Sequence, residues 1–277
     1  MAGMLYLVPT PIGNLGDISP RCRQTLAEAD FIAAEDTRVT LKLLNFLEIK
    51  KPLVSYYEHN KKESGPRIVE RILTGETCAL VSDAGSPAIS DPGEDLVRLC
   101  AEAEIPVSAI PGPCAAVSAL SISGLPTGRF CFEGFLSTNK KSRQEHLSGL
   151  AHETRTMIFY EAPHKLTRTL ADLSAAFGPD RRISLCRELT KLHEQVVRTT
   201  LAQACALYAE TPPRGEFVLI VEGAQHKRQE TLTLDDAVAM ALDAIRAGAS
   251  KKDAVRQISA ETGVAKNILY DAVLHAE

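Results

Sequence analysis

The stretch Val81-Ser82-Asp83-Ala84-Gly85-Ser86-Pro87 ends a short apolar run that begins at Cys78. A second run, Val107–Ile110, ends similarly in Pro111-Gly112-Pro113-Cys114, and a third, Leu5–Val8, leads into Pro9-Thr10-Pro11-Ile12-Gly13-Asn14. Apolar runs that break into Gly and Pro are typical of buried parallel strands ending in small-residue loops. Small side chains let backbone N–H and C=O groups approach a ligand closely, so these loops together predict a ligand crevice.

The first half of the chain alternates strand and helix patterns. Ser19 and Pro20 predict a helix start, with Ser as N-cap and Pro at the first helical position. Asp91 and Glu94 have capping-box spacing and predict a second helix start. Such alternation predicts a mostly parallel sheet with helices on both faces. The expected strands are Leu5–Val8, Phe31–Ala34, Leu53–Tyr56, Cys78–Val81 and Val107–Ile110.

Two further regions follow this first domain, which we place at residues 1–111. Residues 112–225 mix strand and helix patterns around a second sheet, with strands expected at Phe130–Phe135, Met157–Tyr160, Ile183–Cys186 and Glu216–Val221. Residues 230–277 show three short amphipathic segments, which predict a helical bundle resembling a helix-turn-helix domain. This tail holds eight acids against five Lys and Arg, which favours a packing or docking role over DNA reading.

Bulk composition excludes several classes of protein. A net charge of −4 over 277 residues argues against a freestanding polyanion binder, so any nucleic-acid contact must come from a local patch. The main candidate is a basic loop expected after the strand Phe130–Phe135, with Lys140, Lys141 and Arg143. The seven cysteines contain no C-x-x-C pair, so we expect no metal site and a reducing, cytoplasmic location. No apolar segment is long enough to predict a membrane span.

Familiar cofactor motifs fail on this sequence. Glu35 ends the second strand, where an acid binds ribose in dinucleotide-binding proteins, but residues 9–14 lack the G-x-G-x-x-G glycines. Their prolines also remove N–H donors that would bind a pyrophosphate. There is no Walker A motif and no G-x-S-x-G elbow.

The segments that do match a known family are spread from residue 5 to residue 223. By them the chain resembles the tetrapyrrole methylase superfamily, and within it the branch that methylates ribosomal RNA. The matching segments are LYLVPTPIGNLGDIS (5–19), AAEDTR (33–38), LVSDAGSPAISDPG (80–93), PGPCAAVSAL (111–120), GLPTGRFCFEGFL (124–136), FYEAPHKL (159–166), CRELTK (186–191) and GEFVLIVEG (215–223).

This resemblance implies a class III methyltransferase of two α/β domains, with a small C-terminal helical bundle. It implies a homodimer that 2′-O-methylates a cytidine ribose in the decoding region of 16S ribosomal RNA, within the 30S subunit. It also implies that S-adenosylmethionine, the methyl donor, binds in the cleft between the two domains. The donor-binding residues carried over are Pro11, Ile12, Asp83, Gly85, Ser86, Cys114, Ala115, Tyr160 and Leu189.

A ribose hydroxyl is a poor acid, so its methylation requires a proton acceptor or a polarising partner. Glu35, His59, Glu188 and Lys191 are candidates, with Asp36 and Glu194 beside them. Arg38 and Arg187 fit better as clamps for phosphate or carboxylate.

Two other functions stay open at this stage. One is a small-molecule methylase acting on a tetrapyrrole; the CRELTK segment, the basic residues at 140–143 and the helical tail favour RNA instead. The other is a nucleotide-sensing regulator that reads DNA with the tail, against which the acidic balance of the tail counts.

Overall fold

The computed structural model describes residues 3–225 and 233–276, which form two compact units that separate between Ala224 and Gln225. The first unit begins with a parallel-sheet region made of β1 (Leu5–Leu7), α1 (Pro20–Glu28), β2 (Phe31–Ala34), α2 (Thr37–Phe46), β3 (Leu53–Ser55), α3 (Lys61–Leu73), β4 (Cys78–Val81), α4 (Gly93–Glu102) and β5 (Val107–Ala109). It continues with α5 (Ala115–Ile122), β6 (Phe130–Phe135), α6 (Lys140–Gly149), β7 (Thr156–Glu161), α7 (Pro163–Phe177), β8 (Arg182–Arg187), β9 (Gln195–Thr200), α8 (Leu201–Glu210) and β10 (Phe217–Val221).

The first sheet has the order β3-β2-β4-β1-β5, and every pair in it is parallel. All residues of β2 and β4 are buried, because helices cover both faces. Side chains of β2 alternate between the faces: Ile32 packs in the cluster with Leu26 of α1, and Phe31 packs with Ile68 of α3. The predicted parallel sheet with helices on both faces is therefore confirmed, and its carboxyl edge gathers the Gly- and Pro-rich loops.

The second sheet is mixed, in the order β6-β7-β10-β8-β9. Only β6 and β7 pair in parallel; the other pairs are antiparallel. Helices α7 and α8 cover one face through residues such as Leu170 and Ala204, and α5 covers the other through Ala119 and Leu120. The boundary expected between residues 111 and 112 falls in the connection from β5 to α5 and stays a prediction.

The second unit contains α9 (Leu234–Arg246), α10 (Lys251–Thr262) and α11 (Lys266–His275). The helices share a small core that includes Ala241, Val255 and Leu269. Thr233 and Asp236 form a capping box at the start of α9, and Gly263 ends α10 in the left-handed conformation, with φ of 73°. The three predicted tail helices are thus present, whereas the predicted domain start at residue 230 lies outside the described residues.

Two local expectations are wrong, and one strand was missed. Asp91 is not the N-cap of α4, because Pro92 occupies that position; the Asp91 carboxylate accepts the N–H groups of Ala88 and Ile89 in the preceding loop and of Gly93. Lys140 and Lys141 do not lie in a loop; they form the first turn of α6, which Asn139 caps. Strand β9 was not anticipated, because its polar sequence gives no apolar run. Among the described residues, no helix is long and apolar enough to cross a membrane.

Candidate functional site

A cavity of about 490 Å³ lies where the carboxyl edge of the first sheet faces residues of the second sheet. Its size is within the usual range for small-molecule sites. The first-sheet side contributes Ile12, Glu35, Ser82, Asp83, Ala84, Gly85, Ser86, Ile89, Ser90 and Asp91. The opposite side contributes Cys114, Ala115, Phe135, Tyr160, Glu161, Ala162, Pro163, Cys186, Leu189, Glu216, Phe217 and Val218.

The loops on the first-sheet side are hydrogen-bonded to one another. Thr10 and Gly85 exchange two backbone hydrogen bonds of 3.0 Å, and Ser86 Oγ donates to the Pro113 carbonyl at 3.0 Å. Gly85 has φ of +84°, and a Cβ there would lie 3.3 Å from Ile12 Cγ2. Glycine at this position therefore permits the turn and keeps space beside Ile12 for a ligand.

The loop between β4 and α4 stores backbone strain. Ala88 and Ser90 have φ of 67° and 68°, in the left-handed region that non-glycine residues avoid. Asp91 holds this loop, because its Oδ1 accepts the N–H groups of Ala88 at 2.9 Å and Gly93 at 2.8 Å, and its Oδ2 accepts that of Ile89 at 3.2 Å. Strained backbone of this kind clusters at ligand sites.

Two carboxylates, Glu35 and Asp83, face the cavity from neighbouring strand ends. Asp83 Oδ1 accepts the Asp36 N–H at 3.0 Å, which joins the two loops. Burial, followed by the charge of Asp83, raises the pKa of Glu35, and burial also raises the pKa of Asp83. Arg38 pairs with Asp36 at 2.6 Å on the exposed side, and its hydrogen bonds lower the pKa of Asp36 to about 2. Asp36 is thus paired with a cation, whereas Glu35 has no cationic partner in residues 3–225 or 233–276.

The second-sheet wall is built around Tyr160. The Ala116 N–H at the start of α5 donates to the Tyr160 hydroxyl at 3.1 Å, which fixes the ring. Burial raises the pKa of Tyr160 to about 12, so the phenol stays protonated. At the edge of the wall, Lys191 Nζ lies 2.9 Å from both Glu188 and Glu216.

Eight of the nine expected donor-binding residues line this cavity; Pro11 does not. Among the candidate catalytic residues, Glu35 lines it and Arg38 pairs with Asp36 beside it. Glu188 and Lys191 are joined in an ion pair next to the lining residue Glu216. His59 is not a lining residue, and its ring packs edge-on against Tyr57.

The expected RNA contact at Arg143 is wrong. The Arg143 side chain is only 6% exposed, its Nε lies 2.7 Å from Asp172 Oδ2 on α7, and it donates to the Ser137 carbonyl. It joins α6 to α7 and has no surface left for a phosphate. Lys140 and Lys141 are exposed, and their role in RNA binding stays a prediction.

The sequence analysis missed several lining residues, among them Ile89, Ser90, Asp91, Phe135 and Glu216. The first three follow the same strand end as Asp83, so that strand end was the available signal. Phe135 ends β6 and Glu216 precedes β10; because the second sheet is mixed, its strand ends do not gather at one edge, and these residues gave no such signal.

Comparison with known proteins identifies the family. Residues 4–205 match the family model of Tetrapyrrole (Corrin/Porphyrin) Methylases. The chain is 46% identical over 275 residues to the ribosomal RNA small subunit methyltransferase I of Synechocystis sp., covering 99% of each chain. It is 44% identical over 277 residues to the protein of the same name from Bacillus subtilis, covering 98% of this chain and 94% of that one.

Solved structures share the fold. Uroporphyrin-III C-methyltransferase from Thermus thermophilus, complexed with S-adenosylhomocysteine, matches with a TM-score of 0.56 at 18% identity, over 79% of this chain and 97% of that one. Diphthine synthase matches with a TM-score of 0.59 at 16% identity, over 80% and 90%. The chain is an S-adenosylmethionine-dependent methyltransferase that belongs to the tetrapyrrole methylase family, in its ribosomal RNA small subunit methyltransferase I group.

Proposed function

We propose that this protein transfers a methyl group from S-adenosylmethionine to the 2′-hydroxyl of a cytidine ribose in the decoding region of 16S ribosomal RNA. It acts on the 30S subunit, as a homodimer in the cytoplasm. Family membership supports the reaction. The charge of the cavity supports the way in which the donor and the phosphates of the RNA bind at separate places.

The charge of the cavity is the observation that carries the proposal. Its described lining contains five carboxylates, Glu35, Asp83, Asp91, Glu161 and Glu216, and no Lys, Arg or His. Glu216 is paired with Lys191 from outside the lining, but the other four carboxylates have no cationic partner among the described residues, so the lining favours a cationic ligand and repels phosphate. S-adenosylmethionine carries a sulfonium and an ammonium against one carboxylate, which makes it a net cation, and the apolar residues Ile12, Leu189 and Val218 suit its adenine ring. The residues present therefore fit the donor.

Alignment is the main task of the protein in this reaction. S-adenosylmethionine supplies, when bound, a methyl group on a positively charged sulfur. Displacement at that carbon requires the ribose oxygen, the carbon and the sulfur in line, so a preformed crevice lowers the barrier by orientation. The hydrogen bonds that join Thr10 to Gly85 and Ser86 to Pro113 provide that rigidity.

Glu35 is the proton acceptor in this proposal. It faces the cavity, has no cationic partner among the described residues, and has a raised pKa through burial and the charge of Asp83. A carboxylate whose pKa moves towards neutrality accepts a proton more readily while it stays ionised at neutral pH. Glu188 is less suited, because hydrogen bonds from the Glu216 N–H and from Lys191 lower its pKa.

Phosphates of the RNA bind outside the cavity, since its carboxylates repel them. Arg187 and Arg214 line a separate depression of about 370 Å³ together with Gln195 and Thr211. Arg187 Nε donates to the Arg214 carbonyl at 2.6 Å, and neither guanidinium has an acidic partner within the part of the chain that the structure describes. Arg187 also follows the lining residue Cys186 on β8, so this depression is close to the donor cavity.

The test is methyl transfer from tritiated S-adenosylmethionine to three substrates: unmethylated 30S subunits, naked 16S RNA and a precorrin mixture. We expect label in 30S subunits, at one cytidine that becomes resistant to alkaline cleavage on its 3′ side. Label in the precorrins alone would instead identify a tetrapyrrole methylase, and label on a base would contradict ribose methylation.

A further inference from the structure

Strand β6 contains an irregularity that changes the direction of one aromatic side chain. Its pairing with β7 shifts register between Phe132 and Gly134, so that Phe132 pairs with Ile158, and Phe135 pairs with Tyr160. Glu133 is the extra residue of this β-bulge. Regular alternation would place Phe132 and Phe135 on opposite faces of the sheet; the bulge places both on the face that carries Tyr160.

The bulge is held from both sides. Gly134 has φ of +62°, a conformation that favours glycine, and it is buried. Glu133 Oε2 lies 2.8 Å from His146 Nε2 on α6, which anchors the extra residue. Bulges are frequent next to active sites, where they redirect a side chain.

The result is an aromatic cluster of Phe132, Phe135 and Tyr160 at the edge of the donor cavity. The rings of Phe132 and Phe135 pack edge-on against Tyr160, with centroids 5.0 and 5.5 Å away. Phe135 lines the cavity and yet is 57% exposed. Phe132 beside it is 36% exposed, so the two rings form a joined apolar surface at the ligand site, and joined exposed apolar surface marks interaction sites.

We infer that Phe135, supported by Phe132 and Tyr160, is the stacking platform for the base of the target nucleotide; this inference rests on the proposed function. The base is attached to the ribose that must reach the methyl group, so it lies within a few bond lengths of the donor cavity. Phosphates are repelled by the five carboxylates there, whereas a base is neutral and aromatic. Proteins that modify or read unpaired nucleotides stack their bases on aromatic side chains.

Kinetics on unmethylated 30S subunits test the platform with three variants. Phe135→Leu keeps an apolar side chain but removes the ring, and it should lower kcat/KM about tenfold or more, as expected for loss of base stacking. Phe135→Tyr keeps the ring and should restore most of kcat/KM. Phe130→Leu is the matched control: Phe130 is on the same strand and 42% exposed, but it does not line the cavity.

A second measurement reports stacking directly. The chain contains no Trp, so Phe135→Trp introduces a single tryptophan, whose fluorescence can be excited at longer wavelength than that of the six tyrosines. Protein-free 16S RNA should quench this fluorescence, whereas the same RNA should leave the fluorescence of Phe130→Trp nearly unchanged.

Three results would overturn the inference. The first is equal kcat/KM for Phe135→Leu and Phe130→Leu. The second is a loss of S-adenosylhomocysteine affinity in Phe135→Leu, measured by calorimetry, that is as large as its loss of kcat/KM, and the third is dissociation of an oligomer by Phe135→Leu in sedimentation. The second would assign Phe135 to the donor, and the third would assign it to an interface between copies of the chain. Failure of the proposed function is a different result, in which the unaltered protein methylates neither 30S subunits nor 16S RNA.

Discussion

Replacement of Asp91 by Ala should weaken donor binding by releasing the strained loop between β4 and α4. The Asp91 carboxylate accepts three backbone N–H groups, two of them from loop residues Ala88 and Ile89. Ala88 and Ser90 in this loop are in the left-handed conformation, so the loop relaxes when these hydrogen bonds are removed.

The magnitude follows from these contacts. Three partly exposed hydrogen bonds contribute about 1 kcal/mol net each, which is the usual value for a hydrogen bond in a protein. The left-handed conformations of Ala88 and Ser90 cost roughly 1 kcal/mol or more each. Without the hydrogen bonds to Asp91, nothing offsets this cost, so the loop leaves the conformation seen in the structure. If about 2 kcal/mol of bias towards the bound conformation is lost, donor affinity falls about 30-fold, because each 1.4 kcal/mol is a factor of ten.

Calorimetric titration with S-adenosylhomocysteine measures this change, with thermal unfolding as the check on the fold. Asp91→Asn is the matched control, because its single amide oxygen can keep the two hydrogen bonds that Oδ1 accepts; its loss should be less than about tenfold. Adding Ala88→Gly to Asp91→Ala should recover about threefold, since glycine adopts the left-handed conformation without strain. Additive effects in this double variant would refute the role of strain, and unchanged affinity in Asp91→Ala would refute the role of the carboxylate.

Four further predictions follow from the same structure. Glu35→Gln should lower kcat about 100-fold or more with little change in donor affinity. In the unaltered protein kcat should rise with pH as Glu35 loses its proton, at a pH above the usual glutamate pKa, because burial and the negative charges of Asp83, Asp91 and Asp36 raise its pKa. If the same rise of kcat with pH persists in Glu35→Gln, Glu35 is not the base. Arg143→Ala should lower the stability by up to about 3 kcal/mol in thermal unfolding, because it removes the closer of the two cations that face Asp172 and leaves only Arg168, at 3.9 Å, whereas Lys140→Ala should not; equal stabilities would contradict the structural role. Arg214→Gln should raise KM for 30S subunits and reduce the slope of log KM against log salt concentration by about 1, the value for one phosphate contact. A slope equal to that of the unaltered protein would place the RNA elsewhere. A chain ending at Gln225 should keep its fold and its donor affinity, since the first compact unit ends at Ala224, and should lose activity on 30S subunits; aggregation would show that the tail stabilises the first unit.

Local sequence chemistry was sufficient to predict most of the elements. Phe31–Ala34 and Cys78–Val81 are continuous apolar runs because both faces of their sheet are covered, and the structure has both strands with these bounds. Ser19 Oγ accepts the Cys22 N–H, as its N-cap pattern predicts. Asp91 shows the limit of such patterns. Its side chain has the chemistry of a helix cap but accepts hydrogen bonds from the preceding loop, and the sequence pattern does not predict the left-handed conformation of that loop.

The candidate site divides in the same way. Residues after parallel strands were predictable, since all carboxyl ends of the first sheet lie at one edge. Tyr160 and Leu189 came only from family resemblance, because their distance in sequence from Asp83 hides their proximity. Arg143 was misassigned because it was grouped with Lys140 and Lys141 by charge alone, without regard to the face of the helix on which each residue lies. Lys140 and Lys141 are exposed on α6, but Arg143 lies on the face that packs against α7.

The separation of charges in this molecule explains how one crevice can serve two unlike ligands. The donor is cationic and the RNA is anionic, so a single basic groove would bind the RNA and repel the donor. Here five carboxylates line the cavity, and Arg187 and Arg214, which have no acidic partner among the described residues, lie in a separate depression. The target nucleoside is the neutral part of the RNA that has to reach the donor. The bulge between Phe132 and Gly134 places Phe135, the stacking platform that we infer for that nucleoside, at the edge of the cavity. Neutralising the charges at the cavity and at the depression should therefore affect different ligands: neutral substitutions at Asp83 should act on donor affinity, those at Arg214 on RNA affinity, and those at Phe135 on the step that requires both.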